Sequence, residues 1–416
     1  MLKRWITITL IIIVASACSI NTSTSDDPDG FKDVLVSTST QSSNATETET
    51  PHPTSITSQT DTPEPTASSV PDLTPTQDDI AVGPDNFPDD VNPLTGLQVS
   101  DPTILDRRPV AVKVQIFPRG QRPPMGISQA DIVYDYYQNA GMTRFHAIFY
   151  GENATPVGPI RSGRLLDRDL AQMYKSYLVF GSADQRILDT FTSSDVGSRL
   201  ILEWTGKCPP MCRQDPNGSN ILVADTAEVS IYASENKTDN TKQNLDGMTF
   251  KTLTPDGGIP IDQISVRFSI GAYNRWEYDP DNGKYYRYQD TQEANTIETE
   301  LLNEMVDKNT EEQLSTDNVV VLLVPHSYAF NSKPGNNEIM NIKLEGTGIG
   351  YAFRDGMVYE VEWHRPEKDS ILYLTMSDGS AYAFKPGRTW FEVIGTTSEI
   401  ITTEGDNSYR FEWGVP

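Results

Sequence analysis

Thr254-Pro255-Asp256-Gly257-Gly258-Ile259-Pro260 divides this chain into two stretches that read differently. Upstream, apolar runs alternate with helical spacing. Pro109 to Ile116, Ile132 to Tyr137, Phe145 to Tyr150 and Tyr177 to Phe180 read as strands. Leu166, Leu170, Met173 and Tyr177 fall at the 4, 3, 4 spacing of one helix stripe, which leaves Asp167, Arg168, Asp169 and Lys175 largely facing water. Downstream, short alternating runs meet at the turn signals Asp279-Pro280-Asp281-Asn282-Gly283, Arg354-Asp355-Gly356 and Ser377-Asp378-Gly379, as antiparallel hairpins do. The fold class is therefore α+β: a mixed α/β N-terminal domain over 91–253, then a mainly antiparallel β-rich C-terminal domain over 260–396. Two domains also suit about 320 residues, more than one core usually serves. In the tail, 397–416, Tyr409, Phe411 and Trp413 alternate as one extra strand would.

The first residues concern location. Lys3 and Arg4 precede an apolar run from Trp5 to Val14 and the small residues Ala15-Ser16-Ala17 before Cys18. A basic start, a short apolar core and small residues before a cysteine mark a secretory signal resembling a bacterial lipobox. The run is too short for a span, which needs roughly 20 residues. The expectation is a signal peptide over 1–17 and a lipid on Cys18 that holds the chain to the outer face of the membrane, outside the cytoplasm. The linker over 18–90 is acidic and Ser/Thr/Pro-rich: Ser19 to Asp90 holds 14 acidic residues against Lys32 alone, and 26 of the 40 residues from Ser37 to Thr76 are Ser, Thr or Pro. Too little apolar surface is available there to offset chain entropy, so it should stay disordered and extended as a stalk. Residues 91–416 carry 44 acids against 30 bases, a balance that argues against nucleic acid as a partner.

After Cys18, the chain has Cys208 and Cys212, a CxxxC pair that outside the cytoplasm most simply forms a disulfide pinning a loop. His52, His146, His326 and His364 show no metal-ligand spacing, and neither a metal site nor a cofactor motif is expected. No GxSxG elbow, HExxH or Walker loop is present. Gly346-Thr347-Gly348-Ile349-Gly350 leads into the alternating Tyr351 and Phe353, so a glycine bulge or turn accounts for it better than a phosphate loop.

One constellation points to binding. Val157-Gly158-Pro159-Ile160-Arg161-Ser162-Gly163-Arg164 runs directly into the predicted helix, whose first turn exposes unpaired N–H groups. Two arginines, a hydroxyl and a flexible glycine there suit a carboxylate or phosphate, and Arg144 could approach from a neighbouring strand. The competing account is structural: Ser162 caps the helix while Arg161 and Arg164 pair with Asp131 and Asp135. Those two acids point the same way from one strand but sit about 13 Å apart, too far for a glycosidase pair.

Asn92-Pro93-Leu94-Thr95-Gly96, Arg108-Pro109-Val110-Ala111-Val112, Gly126 to Tyr134, Thr143-Arg144-Phe145, Val157 to Ser162, Glu345-Gly346-Thr347-Gly348 and Pro386 to Trp390 resemble, in order, the YerB-like lipoproteins, a family of unknown function with N- and C-terminal domains. The resemblance implies location and architecture, with no catalytic residues to carry over. Relatives tend to have acids at the positions of Gln115 and Asn139, Glu at Asp135, and a Pro-His-Asn stretch near Gly218-Ser219-Asn220. The expected function is a membrane-tethered binding or scaffold protein of the cell envelope. Its anion site would draw on Arg144, Arg161, Ser162, Gly163, Arg164 and Asp131, with a wall polymer or an envelope protein as partner. The alternative is a wall-directed hydrolase or transferase with Asp131 or Asp135 as general base and Arg161 stabilising an oxyanion.

Overall fold

In the computed structural model the described residues are 80–203, 208–214, 221–335, 337–403 and 405–414. The signal sequence, Cys18, most of the linker and the stretch 218–220 lie outside them.

In chain order the first elements are β1 (Val110–Gln115), β2 (Ile132–Asn139), β3 (Met142–Phe149), β4 (Val157–Ile160), α1 (Leu165–Met173), β5 (Tyr177–Phe180), α2 (Gln185–Thr192) and α3 (Glu228–Glu235). Past the break come β6 (Gln263–Ser269), β7 (Ala272–Asp279), β8 (Lys284–Asp290), β9 (Asn318–Val324), β10 (Gly346–Arg354), β11 (Met357–Arg365), β12 (Thr389–Gly395) and β13 (Asp406–Glu412). The N-terminal part is thus mixed α/β and the C-terminal part mainly antiparallel β.

The two parts meet in one large sheet whose central order is β11, β10, β9, β12, β2, β3, β1, β4. β12 makes the join. It runs parallel to β9 on one side (Asn318 opposite Thr389) and parallel to β2 on the other (Ile132 opposite Thr389). All seven residues of β9 and of β12 are buried, as strands covered on both faces must be. A second sheet, β8, β7, β6, β13, carries the tail strand, which pairs parallel with β6 and antiparallel with Glu399–Thr403.

The pleat sorts side chains between two buried layers. On one face of the large sheet, Lys113 stands opposite His146 and Gln115 opposite Arg144, and Tyr134 and Tyr136 continue the same rows onto β2. α1 covers this face, with Asp167 bonded to the Tyr136 hydroxyl and Tyr174 to Tyr134. The other face carries Asp135 and Glu392, register partners on β2 and β12. There the second sheet covers them: Arg287 of β8 bonds both carboxylates at 2.6 Å, and Trp276 of β7 bonds Glu392 at 2.9 Å.

Three readings of local structure are corrected. The helix stops at Met173 and Tyr177 opens β5, so the apolar stripe ends four residues earlier than its spacing implied. Asp167 is fully buried, because it occupies the first helical turn on the side that faces the sheet. Gly346 to Gly350 form neither bulge nor turn; they pair regularly with β11 from Gly346 opposite Arg365. Glycine is needed at 348 because a Cβ there would lie 2.7 Å from the Trp363 indole nitrogen, which packs over the strand.

Candidate functional site

The segment 161–164 crosses the end of the large sheet where β1 finishes and β3 begins. Its backbone is stitched down on both sides: Arg161 donates to the Lys113 carbonyl, Gly181 to that of Arg161, and Gly163 to that of Ser182. Gly163 permits the close crossing, since a Cβ would meet Phe191 at 3.0 Å and Phe180 at 3.1 Å. The helix then starts without Ser162 as its cap. Arg164 holds the N-cap position and donates its N–H to the Asp167 carboxylate at 2.6 Å. Ser162 faces Ser182 instead, hydroxyl to hydroxyl at 3.2 Å.

Three guanidinium groups converge here. Arg144 donates to the Ser162 carbonyl at 3.0 Å, and Arg164 to the Gly163 carbonyl at 2.9 Å and the Asn139 amide oxygen at 3.1 Å. Arg161 donates through Nε to the amide oxygen of Gln115. Among the described residues none of the three forms an ion pair, and neither Asp131 nor Asp135 is a partner. Their charges are felt: burial, then the repulsion of Arg164 and Arg161, pull the Arg144 guanidinium down to about 9. Burial likewise lowers Arg164.

Beneath them lies a buried charged cluster. The Asp167 carboxylate accepts from Tyr136 at 2.5 Å and His146 at 2.8 Å and stands 3.2 Å from the Lys113 ammonium. Lys113, with its ammonium 3.8 Å above the Tyr136 ring, is pulled down to about 7 by burial against the opposing pull of Asp167. Asp167 itself is held well below the usual carboxylate range by Lys113 and His146 despite its burial. Among the described residues Gln115 Nε2 is buried without a hydrogen-bond partner.

A cavity of about 470 Å³ opens against this segment, bordered by Ser162, Arg164, Asn139 and Ser182. Ile187, Ile339, Asp184 and Glu338 also border it, and the charges of Asp184 and Arg164 act on each other. Both acids are engaged, Asp184 with Arg186 at 2.9 Å and Glu338 with the Tyr137 hydroxyl at 2.8 Å.

Asp131 does not join the arginines. It lies towards the other end of β2, five residues or about 17 Å of strand from the row that Tyr136 shares with Arg144. Its carboxylate accepts from Asn92 and from the Tyr150 and Gly151 N–H groups, and burial pushes it up to about 6. Asp131 borders a separate cavity of about 510 Å³ with Glu152, Asp317 and Arg388. Asp135 faces the second sheet. Neither acid is placed to serve as a base beside Arg161. Cys208 and Cys212 are joined as a disulfide with a Cα–Cα distance of 4.7 Å.

The sequence reading missed Lys113 and Ser182, turned Asp167 towards water, and named Gln115 and Asn139 only as departures from the family pattern. A signal existed for Lys113 and Gln115. In Val110-Ala111-Val112-Lys113-Val114-Gln115, polar residues at alternate positions of an otherwise apolar strand place a charge on one buried face.

Comparison with known proteins matches two models of one family: "Protein of unknown function (DUF3048) N-terminal domain" over residues 94–213 and the corresponding C-terminal domain over 264–391. A relative named "Putative lipoprotein YerB", from Bacillus subtilis (strain 168), is 27% identical over 329 residues, which are 76% of this chain and 89% of the relative. The crystal structure of YerB protein from Bacillus subtilis covers 73% of this chain and 96% of its own, with a TM-score of 0.60 and 22% identity, a likeness of fold.

Proposed function

The chain belongs to the DUF3048 family of proteins of unknown function, and from that premise we propose that it is a lipid-anchored binding protein of the cell envelope that holds an anionic ligand in the cavity bordered by Ser162, Arg164 and Ser182. The name of the relative supports the lipoprotein reading, and so does the lipobox-like run ending at Cys18. The tether places the protein outside the cytoplasm, at the outer face of the membrane. Two or three acyl chains would hold it there, at about 0.8 kcal/mol for each buried CH2. A Cys18→Ala chain is expected in the soluble fraction after export, where the parent pellets with membranes; unchanged fractionation would remove the anchor from the proposal.

One observation carries the ligand reading. In a chain of net charge −25, three guanidinium groups converge on one loop with no carboxylate as ion-pair partner among the described residues. Like charges at close range raise the energy of the empty site, and an anion relieves that repulsion as it binds. The candidates are an anionic wall polymer, a glycan acid or a partner's carboxylate. The test is a thermal-shift series on the full chain with soluble wall fragments and simple anions. A ligand at 100 times its Kd adds about 2.7 kcal/mol of stability. Arg161→Ala with Arg164→Ala should abolish the shift and leave the unliganded melting temperature near that of the parent; a collapsed melting temperature would make the arginines structural instead.

A further inference from the structure

We propose that the ligand group is a single phosphate monoester carried by a neutral or hydroxylated molecule, seated as the dianion against Arg164 and the hydroxyls of Ser162 and Ser182, with Arg144 and Arg161 adding positive charge behind them. This rests on the anion reading above and replaces the candidate ligands given there. Charge comes first. Among the described residues only Lys113 of these cations is ion-paired, with Asp167, while Asp184 of the lining pairs with Arg186. Arg144, Arg161, Arg164, Lys113 and Arg186 stand against Asp167, Asp184 and Glu338, so two positive charges remain in excess by formal count with Lys113 protonated, and a monoanion leaves the site short of neutral.

Donor geometry comes second. A carboxylate is planar and is matched by one guanidinium fork. Here the donors that border the cavity come from separate elements: Asn139 from the end of β2, Ser162 and Arg164 from the crossing segment, and Ser182 from the start of the loop after β5. A tetrahedral group with three free oxygens can accept from such a spread. The third point is the rest of the lining. Asp184 and Glu338 border the same cavity and would repel a second anionic group, while Ile187 and Ile339 offer apolar surface between them. A chain of phosphates is therefore disfavoured, and a polyol or sugar remainder fits.

The test is titration calorimetry on the full chain with five probes: inorganic phosphate, glycerol 3-phosphate, dimethyl phosphate, tripolyphosphate and succinate. Glycerol 3-phosphate should bind best, with dimethyl phosphate and succinate about tenfold weaker or worse. The control variant is Gln115→Asp with Asn139→Asp, which sets a carboxylate against Arg161 and Arg164 without removing either arginine. It should lose phosphate binding and keep the parent's melting temperature. Should that variant fail to fold, Ser162→Ala should still weaken glycerol 3-phosphate more than succinate. Succinate binding as tightly as glycerol 3-phosphate would overturn the phosphate assignment and leave the anion site standing. Preference for dimethyl phosphate or tripolyphosphate would overturn the monoester assignment in favour of a polymer. No heat with any anion would overturn both this inference and the reading beneath it.

Discussion

Asp167 holds the floor of the site in place. It is the counter-charge of Lys113, the acceptor for Tyr136 and His146, and the partner of the N-cap N–H of Arg164. Asp167→Asn would leave Lys113 as a buried cation without its carboxylate, a change that typically costs 3–5 kcal/mol, about the range expected here from denaturant unfolding. Lys113 also gives the site a pH response. It is faced by Asp167 from α1, His146 and Arg144 from β3, Tyr136 from β2, and Arg164, and its proton leaves near pH 7. A phosphate monoester takes up its second proton at about pH 6. Affinity for glycerol 3-phosphate should therefore peak between about pH 6 and 7, and Lys113→Met should flatten the alkaline side of that profile. At this scale the arginines were legible because a loop rich in arginine before a helix is a local pattern. Asp167 was misread because the helix stripe fixes which residues share a face but not which flank of it the sheet will cover.

Two elements carry the remaining strain. The segment 161–164 lies so close to Phe191 and Phe180 that Gly163→Ala should force a shift. Overpacking of this kind costs about 1–3 kcal/mol. The same variant should weaken anion binding, because Ser162 and Arg164 move with the backbone; a stable Gly163→Ala chain with parental affinity would show that the crossing tolerates a side chain. On the opposite face of the sheet, Arg287 lies between two carboxylates. Burial and the nearness of Asp135 push Glu392 up to about 7, against the pull of Arg287. Its native pKa lies above the unfolded value, so the folded state holds more protons between about pH 4.5 and 7, and stability should fall as pH rises through that window. Glu392→Gln should flatten that dependence, while Arg287→Met should destabilise by about 3–5 kcal/mol by leaving two acids buried together. The hairpins around this network were legible from their turn residues. Asp135 was not: pleat parity aligned it with Asp131, and nothing local shows that the second sheet brings an arginine to it.

For the whole molecule the governing feature is β12. It lies between β2 and β9, so the mixed α/β part and the β-rich part share one sheet. The chain from residue 80 onward should melt in a single calorimetric transition; two resolved peaks would mean that the parallel seam adds little. The sequence marked where composition changes, at 254–260, because turn residues and periodicity are local. Pairing between β2 and β12 is a contact between distant segments and leaves no local mark.

That seam has a consequence for how the protein is made. Ribosomes deliver β2 early and β12 nearly last, so through most of synthesis one flank of β2, and later of β9, waits for a neighbour not yet added. A message cut short before codon 389 yields no usable half-product, since both waiting edges stay open. Quality control at the envelope would then meet a sharp choice between a finished molecule and a substrate for proteolysis.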